Sequence, residues 1–200
     1  RFGSIGPRRS TEDLYAIELM NTVLGGAFSS RLNLNLREDK GYTYGARSQV
    51  TDTRGQAVFL ASSQVRTDVT KESIVELMKE LREIRSSRPV TPEELKKSQE
   101  NLVLQLPGEH ESLGEVAGYI TRLVTLGLPE DYLTAYPQKV RATTVAGLTE
   151  LAKQRVLPDQ ITLVVVGDRK AIEPKIRELN LGPIEFLDVD GRPLNGESAQ

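Results

Sequence analysis

The sequence predicts an α+β fold in which a largely antiparallel sheet is covered by a block of helices. Two strand-like segments, residues 43–51 and 56–65, are joined by a turn at residues 52–55 and together indicate a hairpin. Helical patterns then follow one another between residues 74 and 156 with no strand among them. Because strands and helices do not alternate regularly, an antiparallel sheet is favoured over a doubly wound parallel one.

Further strands are predicted towards the two ends of the chain. Residues 2–5 are typical of the end of a strand, and the apolar run at residues 161–166 indicates a buried strand. Residues 183–187 are compatible with a final strand. With no convincing linker or repeat before them, residues 1–187 are expected to form a single domain, and the polar residues 188–200 a loose tail.

The predicted helices are bounded by capping signals. A first helix is expected to start at residues 11–13 and to end at the Gly25-Gly26 pair. Thr91, Pro92 and Glu94 form a strong helix start with a capping-box pattern. Residues 113–126 carry a well-formed amphipathic pattern that Gly127 ends. Three more helices are predicted at residues 130–140, 144–156 and 170–180.

Residues 32–36 carry two conflicting signals. Leu32, Leu34 and Leu36 alternate with asparagines, which is a strand pattern by period alone. The serine pair before this segment and the charged residues 37–40 after it are instead typical of the start and end of a helix. The residues alone leave both structures open.

Composition excludes several classes of function. The 200 residues carry a formal net charge of −2, which argues against a nucleic-acid binder or a polybasic membrane-surface protein. The absence of cysteine excludes disulfides, thiol nucleophiles and cysteine-ligated metals. No apolar run approaches the roughly 20 residues of a membrane span. Because the chain starts at Arg1 rather than Met, we expect it to be a fragment of a longer polypeptide.

A catalytic metal site is not expected within this chain. His110 is the only histidine, whereas a hydrolytic zinc site usually needs at least two. We interpret Glu109 and Glu111 beside it as loop residues, because neighbouring side chains diverge. A serine hydrolase is disfavoured because no Gly-x-Ser-x-Gly motif is present. Asp168 follows a predicted strand without a phosphate-binding glycine pattern, and we interpret it as a helix cap.

Arg37 and Tyr44 are the candidate site residues. They flank Gly41, so they are expected to lie near one corner on either side of a turn. An arginine can grip a peptide carbonyl, and a tyrosine hydroxyl can donate to a developing oxyanion. The alternative is that Arg37 belongs to a solvated charged patch and that the tyrosines pack against the edge of the hairpin.

Four short motifs surround these two residues. They are Leu24-Gly25-Gly26, Ser30-Arg31-Leu32, Leu36-Arg37-Glu38 and Gly41-Tyr42-Thr43-Tyr44. Their order and spacing closely resemble the second, zinc-free domain of the insulinase/pitrilysin family of zinc metallopeptidases, which includes the mitochondrial processing peptidases. The motifs cover about a tenth of the chain, and the order of the remaining elements is similar over nearly its whole length.

The resemblance implies a shared peptidase site. The partner domain would carry His-x-x-Glu-His, bind the zinc and supply the general base, so this domain itself would bind no cofactor or metal. Arg37 would hold the substrate backbone and Tyr44 would stabilise the tetrahedral intermediate. The partner domain would belong to the same polypeptide or to a separate subunit. The family is helical at residues 32–36, and a bacterial two-domain peptidase without cysteine fits a periplasmic location.

Two alternatives remain at this point. The chain could be a non-catalytic structural or scaffold subunit of the same fold, like the silent family members of respiratory complexes. It could also be a binding module unrelated to peptidases, in which case the motif match is a coincidence.

Overall fold

The computed structural model describes residues 1–8, 14–51 and 53–194. Within them four strands form one antiparallel sheet in the order β2-β3-β1-β4. The predicted α+β class with a largely antiparallel sheet is confirmed. The strands are β1 (Phe2–Arg8), β2 (Thr43–Val50), β3 (Gln56–Val65) and β4 (Thr162–Leu163).

The predicted helices are present. The first ends at Asn21, where a π-helical turn continues to Gly26, and the ends of those predicted at residues 113–126, 130–140, 144–156 and 170–180 differ by up to three residues. The first helix start predicted at residues 11–13 lies outside the described residues, as does Asp52 of the hairpin turn. No helix in the described ranges has the length and apolar character to cross a bilayer. The helices are α1 (Leu14–Asn21), α2 (Arg31–Asn33), α3 (Thr70–Glu83), α4 (Pro92–Gln105), α5 (Leu113–Leu126), α6 (Tyr132–Ala142), α7 (Val145–Arg155) and α8 (Arg169–Arg177).

The core lies between one face of the sheet and the helices. Successive strand residues point to opposite faces of the sheet. Ala57, Phe59 and Ala61 of β3 are accordingly buried, whereas Val58, which lies between Ala57 and Phe59, is exposed. Phe2 of β1 joins the same buried cluster as Leu19 of α1 and Leu77 of α3.

The prediction of a buried strand at residues 161–166 is wrong in two respects. Only Thr162 and Leu163 pair in the sheet, opposite Gly3 and Phe2. Val166 is 93% exposed. The physical reason is that β4 lies at the edge of the sheet and ends at Leu163, so Val164 and Val166 beyond it meet solvent instead of a second layer.

The strand predicted at residues 183–187 is also wrong. Leu187 forms an isolated antiparallel bridge with Pro193 and joins none of the four sheet strands. The chain reverses between them through a turn in which Gly191 adopts a φ of 79°. This local reversal uses the backbone groups that a sheet strand would need.

The predicted caps are confirmed in atomic detail. Thr91 Oγ1 accepts the Glu94 N–H at 3.2 Å, and Glu94 Oε2 accepts the Thr91 N–H at 2.9 Å. Asp168 Oδ1 accepts the Lys170 N–H at the start of α8. Helix α5 is also capped as a box, although its apolar face is exposed and none of its residues is buried.

The conflict at residues 32–36 is resolved in favour of the helix that the family resemblance implied. Helix α2 continues into a π-helical segment, Leu34–Asp39. Leu32 and Leu36 are fully buried, whereas Leu34 is exposed. Burial therefore follows the i, i+4 spacing of a helix and not the period of a strand.

The Gly25-Gly26 pair allows a close approach between elements. It ends a π-helical turn, Thr22–Gly26, that packs directly on β2. A Cβ atom placed on Gly25 would lie 2.4 Å from Ser48 N and 2.5 Å from Ser48 Oγ. Glycine is therefore required here by packing against a strand backbone.

Replacing Gly25 by alanine is expected to lower the free energy of unfolding by about 2 kcal/mol, because the backbone of β2 has to move. Chemical denaturation measures this change. Gly55→Ala is the matched control, since a Cβ there meets nothing within 4 Å. Equal stability of the two variants would contradict the close contact.

Candidate functional site

Arg37 lies in the last turns of the π-helical segment, half-buried. Its guanidinium carbon sits 4.6 Å from the centroid of the Phe28 ring, a cation–π contact. Its Nε also lies 3.3 Å from Glu38 Oε1, a surface ion pair of small energetic value. Phe28 thus supports the guanidinium while leaving part of it open to a ligand.

A tight turn connects Arg37 to β2. The Gly41 N–H donates to Arg37 O at 3.1 Å, and the Tyr42 N–H donates to Leu36 O at 2.9 Å. Gly41 has a φ of 62°, the left-handed conformation that glycine adopts at little cost. Arg37 and Tyr44 therefore flank one turn, as the sequence predicts, although no hydrogen bond or cation–π contact joins their side chains within the described residues.

Tyr44 stands on a β-bulge. Thr43 pairs with Val65 and Ala46 pairs with Ser63, so three steps along β2 match two steps along β3. Bulges redirect side chains and occur often beside active sites. Tyr44 is 98% exposed, so its ring and hydroxyl project into solvent.

Two hydroxyl groups hold the bulge in shape. Thr43 Oγ1 accepts the Gly45 N–H at 3.0 Å and lies 2.6 Å from Gln64 O, to which it donates. Ser63 Oγ donates to Gly45 O at 3.0 Å. Both polar groups of the extra residue in β2 are satisfied, so the bulge is a defined conformation.

Asn33 links the bulge to the loop beneath Arg37. It is 5% exposed, and both ends of its amide are used. Its Nδ2 donates to Phe28 O at 2.7 Å, while its Oδ1 accepts the Ala46 N–H at 3.2 Å. One buried side chain therefore fixes the distance between Phe28, whose ring lies under the Arg37 guanidinium, and the strand that carries Tyr44.

Arg31 anchors the helical segment to the start of α4. Its Nε and Nη2 each lie 2.6 Å from a Glu94 carboxylate oxygen, a bidentate pair. It also donates to Arg88 O and, at 2.9 Å, to Pro89 O. Burial alone would raise the pKa of Glu94, but the hydrogen bonds from Arg31 and Thr91 outweigh burial and the pKa is lowered.

Asn35 anchors the same segment to α3. Its Nδ2 donates to Glu80 Oε1 at 2.7 Å and to Glu76 Oε2 at 3.0 Å. Glu80 is fully buried and pairs in turn with Arg88. The segment that carries Arg37 is thus attached to α4 through the guanidinium of Arg31 and to α3 through the amide of Asn35.

His110 takes part in local packing. Its Nδ1 lies 2.8 Å from Leu106 O, and its ring meets Tyr119 edge-on at 5.0 Å between centroids. No group of three or more histidine, aspartate or glutamate side chains within the described residues is arranged to hold a metal ion. The described residues therefore offer no set of ligands arranged for a zinc ion.

Comparison with known proteins decides the family. The family model of the peptidase M16 inactive domain matches residues 2–102. The chain belongs to the peptidase M16 family. It corresponds to the inactive, C-terminal domain of these insulinase-like zinc proteases, as the motifs predict. None of the curated proteins matches the chain significantly.

Solved structures share the fold of this M16 domain at low identity. A peptidase M16 inactive domain from Pseudomonas fluorescens is 23% identical, with a TM-score of 0.72 over 80% of this chain and 38% of that one. A complex III chain from Candida albicans is 14% identical, with a TM-score of 0.68 over 80% and 40%. An inactive peptidase domain from Bordetella parapertussis is 18% identical, with a TM-score of 0.66 over 80% and 87%.

The M16 chain therefore spans well under half of the Pseudomonas structure. It spans most of the Bordetella inactive domain.

The supporting residues were not found from the sequence. The motifs include Arg31 and Thr43 without indicating a task for either, and Asn33 and Ser63 lie outside them. Asn33 carries the one signal that could have been used, since it is an amide placed among leucines on a helix. The bulge itself leaves no mark in the strand pattern of residues 43–51.

Proposed function

We propose that this M16 domain is the substrate-binding half of a zinc metalloendopeptidase. Arg37 binds a carbonyl of the substrate backbone, and Tyr44 donates its hydroxyl hydrogen bond to the oxyanion that develops at the scissile carbonyl. The partner domain, with its His-x-x-Glu-His motif, binds the zinc. It lies on the same polypeptide or on a separate subunit.

The observation that carries this proposal is the presentation of Tyr44. An exposed aromatic ring on a bulge has no packing role in this domain, yet four hydrogen bonds that involve the side chains of Thr43, Ser63 and Asn33 fix the backbone around it. A fixed backbone lowers the entropy lost when a side chain engages a ligand. This arrangement supports a donor directed at a partner surface.

Zinc would supply an activated water and polarise the peptide carbonyl from the partner domain. The residues of this chain act on the substrate only. The Arg37 guanidinium offers several N–H donors, so it suits a carbonyl oxygen beside the cleaved bond. Tyr44 stabilises negative charge by hydrogen bonding.

A scaffold role is the second candidate. It is favoured by one observation, the shared fold with a chain of complex III from Candida albicans. In that case the exposed Tyr44 would contact another subunit rather than a substrate. The two candidates differ in whether the assembled protein depends on Arg37 and Tyr44 for turnover.

A complementation assay tests the proposed function. The chain alone is expected to show no zinc-dependent cleavage of a quenched fluorescent peptide library, and addition of the zinc-bearing domain is expected to produce it. Chelation should abolish the activity of the mixture. Zinc-dependent cleavage by the chain alone would contradict the proposal, and an inactive but stable complex would favour the scaffold.

A further inference from the structure

A cavity of about 550 Å³ lies directly beside Phe28, the residue that contacts the Arg37 guanidinium. Its walls are the segment 26–29 on one side and helix α4 on the other. The ring of Phe28 contributes to the cavity and also lies under the Arg37 guanidinium. A ligand held by Arg37 therefore has this cavity next to it, with a single aromatic ring between them.

The lining combines apolar walls with polar groups at the α4 side. Phe28 and Leu102 give apolar surface, while Ser98 and Lys97 supply a hydroxyl and an ammonium group. Ser98 is 7% exposed, and its hydroxyl has no hydrogen-bond partner within residues 1–8, 14–51 and 53–194. A hydroxyl that lines the cavity and has no partner among these residues is available to hydrogen-bond a guest.

The charge of the cavity is positive. Glu94 lies on its wall but is neutralised by the bidentate pair with Arg31. Lys97 has no carboxylate within 4 Å among the described residues, so its charge is uncompensated. The cavity thus suits a short apolar stem that ends in a carboxylate or amide.

The geometry points to a side-chain pocket for the peptide substrate with a preference for glutamate or aspartate, read by Lys97 and Ser98. This inference rests on the proposed function, since the peptide must first lie along Arg37. An extended peptide advances about 3.3 Å per residue, and alternate side chains point to the same face. A substrate side chain one or two residues from the carbonyl bound by Arg37 can therefore pass over the Phe28 ring and enter the cavity.

The test uses the full peptidase, with its zinc-bearing domain, and sets of peptides that differ only in carrying Glu, Gln, Leu or Lys at one position near the cleaved bond. The wild type is expected to prefer Glu over Lys about fivefold in kcat/KM at one position, the size of a solvent-exposed ion pair. Lys97→Glu should invert this ratio. Lys96→Glu, a change at an exposed neighbour outside the lining, should leave it unaltered.

Ser98→Ala provides a second, uncharged test. It is expected to lower kcat/KM for the Gln peptide about threefold relative to the Leu peptide, because the amide loses a hydrogen bond. Both tests compare kcat/KM for two peptides with the same enzyme variant. Partial unfolding of a variant lowers both values alike, so it does not change their ratio.

The outcomes separate this inference from the proposed function. If Arg37→Ala reduces turnover but Lys97→Glu leaves the Glu to Lys ratio unchanged at every position, the pocket assignment is overturned and the proposed function stands. If Arg37→Ala leaves turnover unchanged, the proposed function fails, and this inference fails with it.

Discussion

Replacing Arg31 by alanine is expected to lower the free energy of unfolding by about 3 kcal/mol, the low end of the cost of breaking a buried ion pair. The side chain is 6% exposed and carries four hydrogen bonds to α4 and the loop before it. The change leaves Glu94 without its cation and the Arg88 and Pro89 carbonyls without a donor. Glu94 keeps some contact with water, which limits the loss.

Urea denaturation measures this effect, with Arg47→Ala as the matched control, because Arg47 is an exposed arginine on β2. Arg31→Lys is expected to recover little, since an ammonium group cannot form the bidentate pair. Equal free energies of unfolding for Arg31→Ala and Arg47→Ala would show that the Arg31–Glu94 ion pair contributes nothing to stability.

The same pair predicts a dependence on pH. Burial raises the pKa of Glu94 but hydrogen bonds from Arg31 and Thr91 lower it below its usual value. A carboxyl group with a depressed folded-state pKa adds stability above the unfolded-state pKa, about 4.3 for glutamate, and loses it as pH falls through the folded-state pKa. The stability difference between wild type and Glu94→Gln should therefore shrink from pH 7 to about pH 3.

The sequence was most informative where one physical cause dominates. Capping at Thr91 and the ending of α5 at Gly127 depend on neighbouring residues only, and both are confirmed. The motifs also placed Arg37 and Tyr44 on one turn. Their catalytic roles stay a prediction.

The errors arise where tertiary context decides. An apolar run such as residues 161–166 looks the same in a central and an edge strand, so its exposure could not be read from the pattern. The period-2 leucines of residues 32–36 gave a strand signal that helix packing overrides. Asn33 bridges Phe28 and Ala46, residues 18 positions apart, and Arg31 meets Glu94 across 63 positions. No local pattern encodes such contacts.

Removal of the Tyr44 hydroxyl is expected to lower kcat of the assembled peptidase about 100-fold, the usual cost of losing one oxyanion donor. Tyr44→Phe keeps the ring and the bulge, so binding of the zinc-bearing domain should be unaffected. Arg37→Ala is expected to lower kcat/KM about tenfold, because a charge-assisted hydrogen bond to the substrate is lost. Both variants are measured with the same peptide at a saturating concentration of the zinc-bearing domain.

The central claim, that this domain donates Tyr44 to a zinc site held elsewhere, is tested most directly by kcat of the assembled peptidase with Tyr44→Phe set against Tyr42→Phe. Tyr42 is two residues away, half-buried and directly before β2, so it controls for changes at the start of the strand. The account predicts about a 100-fold loss for Tyr44→Phe and less than a twofold change for Tyr42→Phe. Equal turnover of both variants and the wild type would contradict it.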